Sequence, residues 1–124
     1  MKKHEIEIKA KIELTDQDID DLMVCALEGG INYWCGEAKA KLVPDGVEYE
    51  YLSELIAKGG VIEFTDAEDE DEKWDLNLSK FLNGVKEVCR IRGFYSGQEL
   101  IDNHDAEVAD MIIQFALFEE IVYG

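Results

Sequence analysis

Apolar and charged residues alternate at every second position near the start of the chain, over residues 5–14. This period of two is typical of a β-strand with one buried face, and its apolar positions are Ile6, Ile8, Ala10, Ile12 and Leu14. Shorter stretches with strand character cover residues 38–42, 61–64 and 73–76, and the last two flank an acidic segment, residues 66–72. The pattern therefore predicts about four strands, two of them joined as a hairpin.

Elsewhere the apolar residues recur at the three- and four-residue spacing of amphipathic helices. Thr15 offers an N-cap for a first helix that ends at Gly29 and Gly30. Three further helices are predicted, over residues 49–58, from Leu78 to a stop at Gly93, and over residues 105–119, with a polar link at 94–103. We therefore expect residues 1–124 to form one small α+β domain, in which a roughly four-stranded sheet packs with about four helices, mainly on one face.

The net charge restricts the partners of this domain. The chain has 12 Lys and Arg against 29 Asp and Glu, a formal net charge of −17. Such a surface repels phosphate backbones, which argues against long nucleic acids and anionic membranes as partners. No apolar stretch reaches the roughly 20 residues of a membrane-spanning helix. Residues 1–5 lack the apolar segment of a secretory signal, so we expect a cytoplasmic location.

Motifs that carry catalysis or metal binding are weak. Cys25, Cys35 and Cys89 lack zinc-site spacing and are interpreted as reduced structural thiols. His4 and His104 have no nucleophile nearby in sequence and are interpreted as exposed or capping residues. The acidic stretch at residues 66–77 has the length of a calcium-binding EF-hand loop but lacks its sixth-position glycine and its closing glutamate. We therefore predict a solvated hairpin tip, no catalytic residue, no metal and no cofactor.

One basic segment stands out in this acidic chain. Residues 79–97 contain four cations, Lys80, Lys86, Arg90 and Arg92, and a single acid, Glu87. Arg90 and Arg92 are the only arginines in the sequence. Cations near the C-terminal end of a helix complement its dipole, which is the simpler structural explanation. The functional explanation is a small phosphate-bearing ligand held by the planar guanidinium groups of Arg90 and Arg92.

Aromatic residues supply the second half of a nucleotide hypothesis. Trp34, Phe64 and Trp74 could stack on a base, an interaction that contributes about 1–3 kcal/mol per base. Asn77 could bind a base or ribose edge. The structural alternatives are core packing for the three rings and helix capping for Asn77.

Several segments together resemble a known family of phage proteins. They are residues 26–35 (ALEGGINYWC), 73–76 (KWDL), 114–118 (QFALF) and the final Tyr123 and Gly124. This set resembles the first-described family of Thoeris anti-defence proteins, which are carried by phages and prophages.

The resemblance implies a specific activity. Proteins of that family sequester, without cleaving, a cyclic ADP-ribose isomer (glycocyclic ADP-ribose) that a bacterial TIR-domain enzyme makes on infection. It also implies assembly as homodimers or higher homo-oligomers, and in some members a second site for cyclic oligonucleotides. By position, Phe64 or Trp74 would then stack on adenine and Arg90 and Arg92 would hold the diphosphate, with Trp34 and Asn77 in the same ligand site.

Two other functions remain open at this stage. The charge of −17 also suits an acidic DNA mimic that inhibits a nuclease, such as an anti-restriction or anti-CRISPR protein. Against this, residues 66–75 concentrate seven acids and one lysine in one short segment, whereas a phosphate mimic needs charge spaced along a surface. A phage-borne scaffold protein without a small ligand is the third possibility.

Overall fold

The computed structural model describes residues 2–7 and 9–124, and within them it contains four α-helices and a three-stranded antiparallel sheet. The helices are α1 (Asp16–Cys25), α2 (Leu78–Arg92), α3 (Gly97–Asn103) and α4 (Ala106–Phe118). The strands are β1 (Cys35–Leu42), β2 (Val61–Asp66) and β3 (Lys73–Leu76). A π-helical turn, Ala26–Gly30, extends α1, and a 3₁₀ turn, Leu52–Glu54, lies between β1 and β2. The expected α+β domain is thereby confirmed.

The two faces of the sheet differ in polarity. The strands follow the order β1-β2-β3, and Phe64 lies opposite both Ala38 and Trp74. Phe64 and its neighbours on that face, Ile62 and Leu76, are buried against the helices. On the other face Glu63 is surrounded by three lysines at 3.6–3.9 Å; they are Lys39, Lys41 and Lys73. One face is thus the floor of the core and the other faces solvent.

The helices close the core over the buried face. Helices α2 and α4 cross closely at Gly84, where an added Cβ would overlap the carbonyl oxygen of Ile112. Thr15 begins α1 as predicted, since its hydroxyl accepts the Asp18 amide while the Asp18 carboxylate accepts the Thr15 amide. Within the described residues, no helix is long and apolar enough to cross a membrane.

The strand predicted over residues 5–14 is not observed. Residues 5–7 and 9–14 belong to no strand, and Ile8 lies outside the described residues. Ile6 is 89% exposed, whereas Ile12 and Leu14 are half-buried against the core. Alternation identifies a segment able to pair as a strand, but pairing also needs a neighbouring edge, and this chain leaves residues 5–7 and 9–14 away from its own sheet.

Two helical assignments also change. The helix predicted over residues 49–58 is reduced to the 3₁₀ turn, because Tyr51 is extended and the Glu54 carboxylate accepts the amides of Glu50 and Tyr51. The predicted polar link instead contains α3. Ser96 caps this helix by accepting the Glu99 amide, and Leu100 is its single fully buried residue. A two-turn helix with one buried position is too short to show a helical period.

Candidate functional site

Four aromatic rings from distant parts of the chain form one cluster beside the sheet. Trp34 precedes β1, Trp74 belongs to β3, Phe118 ends α4, and Tyr123 lies in the final segment. Trp34 and Tyr123 are stacked with ring centroids 5.0 Å apart and planes 2° apart. Trp74 meets Phe118 edge to face at 4.9 Å. These contacts hold the final segment against the sheet, because such pairs add stability beyond the area they bury.

A buried carboxyl group lies under this aromatic cluster. Asp110, on α4, accepts hydrogen bonds from the Tyr33 hydroxyl at 2.5 Å, from Trp34 Nε1 at 2.7 Å and from Gln114 Nε2 at 3.0 Å. Gln114 Oε1 in turn accepts the backbone amides of Val122 and Tyr123, each at 2.8 Å. The polar atoms of one helix therefore fix both the turn before β1 and the final segment of the chain.

A cleft of about 280 Å³ opens at the edge of this cluster. Its lining is aromatic and acidic, and consists of Tyr33, Trp34, Asp66, Ala67, Glu68, Tyr123 and Gly124. Tyr123 donates its hydroxyl proton to Asp66 at 2.7 Å. Carboxylates at the mouth make this cleft unsuitable for a phosphate group.

The hydrogen bonds of the cleft shift several pKa values. Burial and the hydrogen bond to Asp110 raise the pKa of Tyr33 to about 12. Burial and the hydrogen bond to Asp66 likewise raise the pKa of Tyr123 to about 12. The pKa of Asp66 is lowered, first by the Tyr123 hydroxyl and then by the Glu68 amide. Both tyrosines are thus proton donors across the physiological range: Tyr33 donates to Asp110 and Tyr123 donates to Asp66.

The three aromatic residues predicted to stack on a base are used inside the protein. Phe64 is fully buried, and Trp34 is only 2% exposed. Trp74 is half-buried, and its ring lies 5.9 Å from that of Trp34 at 68°. A base could reach Phe64 only if the surrounding core opened, and Trp34 lines the cleft with only 2% of its surface exposed, so core packing accounts for both rings in the single chain.

Asn77 and the two arginines lie at opposite ends of α2. Asn77 is the N-cap of this helix, and its side-chain oxygen accepts the Lys80 amide at 2.9 Å. Arg90 and Arg92 are in its last turn, roughly 20 Å away. Arg90 binds Glu87 on its own helix, and Arg92 binds Glu107 at 3.0 Å. The structure therefore groups Trp34, Phe64 and Trp74 near the start of α2, but it does not bring the arginines to them.

Exposed neighbours surround the arginines instead. The side chain of Arg90 is 68% exposed, Lys86 is exposed one turn earlier, and Tyr95, just beyond the helix, is 55% exposed. We call Lys86, Arg90, Arg92 and Tyr95 the basic end of α2. Tyr95 was not among the predicted ligand residues, although its position three residues after Arg92 is visible in the sequence.

The buried polar network was also missed as a site. Asp110 and Gln114 are four residues apart in a helix whose one other polar residue is the exposed Glu107, and two polar residues at that spacing on a buried face indicate a satisfied network. Among the residues predicted to have no catalytic role, His4 is exposed, His104 Nδ1 lies 2.6 Å from the Ile101 carbonyl oxygen, and Cys25, Cys35 and Cys89 are free thiols. Among the described residues, no three His, Cys, Asp or Glu side chains are grouped to hold a metal ion.

The fold and the site define a small α+β domain whose final segment is held by an aromatic cluster on a buried carboxyl group. Comparisons with models of protein families, with characterised proteins and with solved structures gave no match to this chain.

Proposed function

We propose that this protein binds and sequesters a small nucleotide signal without cleaving it, and that the basic end of α2 is its phosphate-binding surface. The observation that carries the proposal is the position of Arg90: its side chain is 68% exposed, next to Lys86, on a chain of net charge −17. Planar guanidinium groups bind phosphate oxygens in pairs. The acidic remainder of the surface repels longer polyanions, which favours a compact ligand.

The ligand class in this proposal comes from the family resemblance: a cyclic ADP-ribose isomer such as glycocyclic ADP-ribose, bound in the cytoplasm of an infected bacterium. Tyr95 takes the stacking role, because its ring is exposed and it follows Arg92 by three residues along the chain, whereas Trp34 and Phe64 are buried. Self-association, which the resemblance implies, would enclose more of the ligand surface than the open end of a single helix does.

The ion pairs of the two arginines bear on affinity. Glu87 holds Arg90 at 2.8 Å and Glu107 holds Arg92 at 3.0 Å, so a phosphate must compete with two carboxylates. Both pairs are exposed, and such pairs contribute only about 0–1 kcal/mol. A phosphate group that binds one of these guanidinium groups can therefore displace its carboxylate partner.

The test mixes the purified protein with cyclic ADP-ribose isomers, removes the protein by filtration and measures the free nucleotide by mass spectrometry. We expect depletion before heating and recovery of the intact nucleotide after heat denaturation. Hydrolysed nucleotide would identify an enzyme instead. If no isomer is depleted, the proposal is wrong, and capture of a DNA-binding nuclease from a host extract would then support the DNA-mimic alternative.

Matched variants locate the site. Arg90→Ala and Arg92→Ala should each weaken depletion, and the double Arg→Lys variant should recover only part of it, because an ammonium group lacks the paired donors of guanidinium. Lys73→Ala on the solvent face of the sheet is the control for loss of one positive charge. If Lys73→Ala weakens binding as much as Arg90→Ala, net charge rather than the basic end of α2 accounts for binding.

A further inference from the structure

Strand β1 has an outer edge without a strand partner among the described residues. The sheet order is β1-β2-β3, so β1 bonds to β2 on one side only. Along β1, Ala38 and Ala40 are half-buried on the core face, while Glu37, Lys39 and Lys41 are exposed. An exposed edge of this kind is a template for pairing with another strand, and natural proteins normally cover or disrupt it.

The N-terminal arm, by which we mean residues 2–7 and 9–11, has the complementary property. It alternates between apolar and charged residues as a strand does, yet it is in no strand and its side chains are exposed. Ile6 is 89% exposed, the largest exposed fraction among the large apolar residues described. Within the described residues, the chain therefore contains a segment that is patterned as a strand but has no strand partner, and a sheet edge that has no strand partner.

The charges of the two segments match in one antiparallel register. With Glu7 opposite Lys39, Glu5 lies opposite Lys41 and Lys9 lies opposite Glu37. Ile6 then faces Ala40 on the apolar side. Opposite charges directly across two strands contribute roughly 0.2–1 kcal/mol a pair, and like charges are destabilising.

Other registers are less favourable. A shift of two residues places Lys9 opposite Lys39 in one direction and Glu7 opposite Glu37 in the other. A shift of one residue moves every charged side chain to the apolar face. The irregular positions of β1 lie on either side of Glu37–Ala40, so the pairs of Glu7 with Lys39 and of Lys9 with Glu37 fall in the regular part of the strand, whereas Lys41 lies at the second irregular position.

The N-terminal arm does not reach the outer edge of β1 of its own chain in the register that places Glu7 opposite Lys39. The helical run from Asp16 to Gly30 is roughly 20 Å long, and β1 begins one turn beyond it, where the Cys35 amide bonds to the Ile31 carbonyl. From Thr15 back to Lys11 the chain spans at most about 14 Å, so Lys11 could come within about 5 Å of Cys35 only if residues 12–14 ran fully extended alongside α1.

Residues 12–14 are also held in place. Ile12 and Leu14 pack against the core, and the Glu13 carbonyl lies over Gly97 at the start of α3. The arm therefore leaves the domain at the end of α1 that is remote from the start of β1. A second molecule has no such restriction on its reach.

We propose that the N-terminal arm of one copy adds as an antiparallel fourth strand to the outer edge of β1 in a second copy, and that two copies exchange arms reciprocally. The exchange covers both open edges and buries both Ile6 side chains against a sheet. It is independent of nucleotide binding and can be measured without any nucleotide.

The experiment is sedimentation equilibrium of the full chain and of two charge-reversed variants, Glu5→Lys/Glu7→Lys and Lys39→Glu/Lys41→Glu. We expect the unaltered chain to dimerise. Each variant alone should dimerise at least ~10-fold more weakly, because its arm and its β1 edge then carry charges of the same sign, which would lie opposite each other in the dimer. Mixed together, the two variants should form a heterodimer, since both arm–edge pairs in it again join opposite charges.

Controls separate this proposal from general charge effects. Glu48→Lys/Glu50→Lys makes the same change in charge at the same spacing on another exposed segment and should leave dimerisation unchanged. The Glu5→Lys/Glu7→Lys variant alters only exposed side chains of the arm, so a folding defect is not expected there; circular dichroism checks both variants.

Three results would overturn the proposal. The first is an unaltered chain that stays monomeric at millimolar concentration. The second is a monomer in which the arm amides are protected from hydrogen exchange, which would mean that the arm pairs within its own chain. The third is a dimer that neither charge reversal weakens.

Discussion

At the scale of single residues, Asp110 is the group on which most other contacts depend. Its carboxyl oxygens accept from Tyr33, Trp34 and Gln114, and it is buried. Removing a buried acceptor leaves its donors without hydrogen-bond partners, and each unsatisfied group costs about 1–3 kcal/mol. The buried indole N–H of Trp34 is the donor that water can least easily reach.

We therefore predict that Asp110→Ala lowers the free energy of unfolding by about 3 kcal/mol, measured by urea denaturation. Asp110→Asn should lower the free energy of unfolding by less than Asp110→Ala, because its amide oxygen can still accept from Trp34 and Gln114, which share Oδ1 of Asp110. The control is Asp102→Ala, which loses only an exposed bond from Gln98 and should change stability by less than about 0.5 kcal/mol. Equal effects at the two positions would contradict a structural role for the Asp110 network.

The tyrosines at the cleft give a prediction about pH. The pKa of Tyr33 and that of Tyr123 are each raised to about 12, against about 10 in an unfolded chain. Their contribution to stability is thus complete below pH 10 and is lost as the pH rises from 10 to 12. Absorbance at 295 nm should show two late-titrating tyrosines, and Tyr33→Phe and Tyr123→Phe should each remove one. Titration of all five tyrosines near pH 10 would refute this.

At the scale of elements, the crossing of α2 and α4 depends on the absence of a side chain at Gly84. A Cβ there would overlap the Ile112 carbonyl oxygen and lie 3.0 Å from the Ala116 amide nitrogen. Helix propensity alone favours alanine over glycine by about 1 kcal/mol. The steric conflict is with backbone atoms, which cannot rotate away as a side chain can.

We predict that Gly84→Ala destabilises the protein by about 2 kcal/mol in spite of the propensity gain, measured by thermal or urea unfolding. Gly29→Ala is the matched control, because Gly29 also lies in a helical turn and an added Cβ there has no atom within 4 Å. The Gly29→Ala variant should have an unchanged or slightly higher free energy of unfolding. A stabilised Gly84→Ala protein would mean that the two helices are farther apart than in this structure.

The elements differ in how well the chain pattern predicts them. The starts of α1 and α2, the hairpin of β2 and β3, and the body of α4 all follow from local signals such as Thr15 or the stripe through Phe81 and Val85. Helix α3 was missed because only Leu100 is fully buried, although Ser96 followed by Glu99 is a capping signal. The strand at residues 5–14 was wrongly expected in the single chain, because a strand pattern does not specify where its partner is.

At the scale of the whole molecule, the excess of 29 acids over 12 bases dominates the surface. The hairpin tip at residues 66–72 holds six of these acids, and Asp66 orders it by accepting the amides of Glu68 and Asp69. Repulsion among like charges opposes the compact state. Exposed ion pairs, such as Lys41 with Asp75, offset little of this repulsion.

We predict that raising NaCl from about 0.01 to 0.1 M, which shortens the Debye length from about 30 to about 10 Å, raises the urea midpoint. At this net charge, repulsive pairs of charges outnumber attractive pairs, so screening by salt should raise the free energy of unfolding. Glu70→Gln/Asp71→Asn removes two exposed charges from the hairpin tip and should reduce the salt response. A midpoint that falls with salt would show that the ion pairs outweigh the repulsion.

By itself, the sequence determined the class of fold, the amphipathic faces of the main helices, the hairpin and the acidic surface, because each depends on residues close together in the chain. The tertiary structure decided what those residues do. It buried Trp34 and Phe64, used Asn77 as a cap, and placed Arg90 and Arg92 at the far end of α2. It also joined Asp110 to Tyr33, 77 positions away along the chain. Such contacts depend on how whole elements pack, and no local pattern specifies which distant partner a side chain meets.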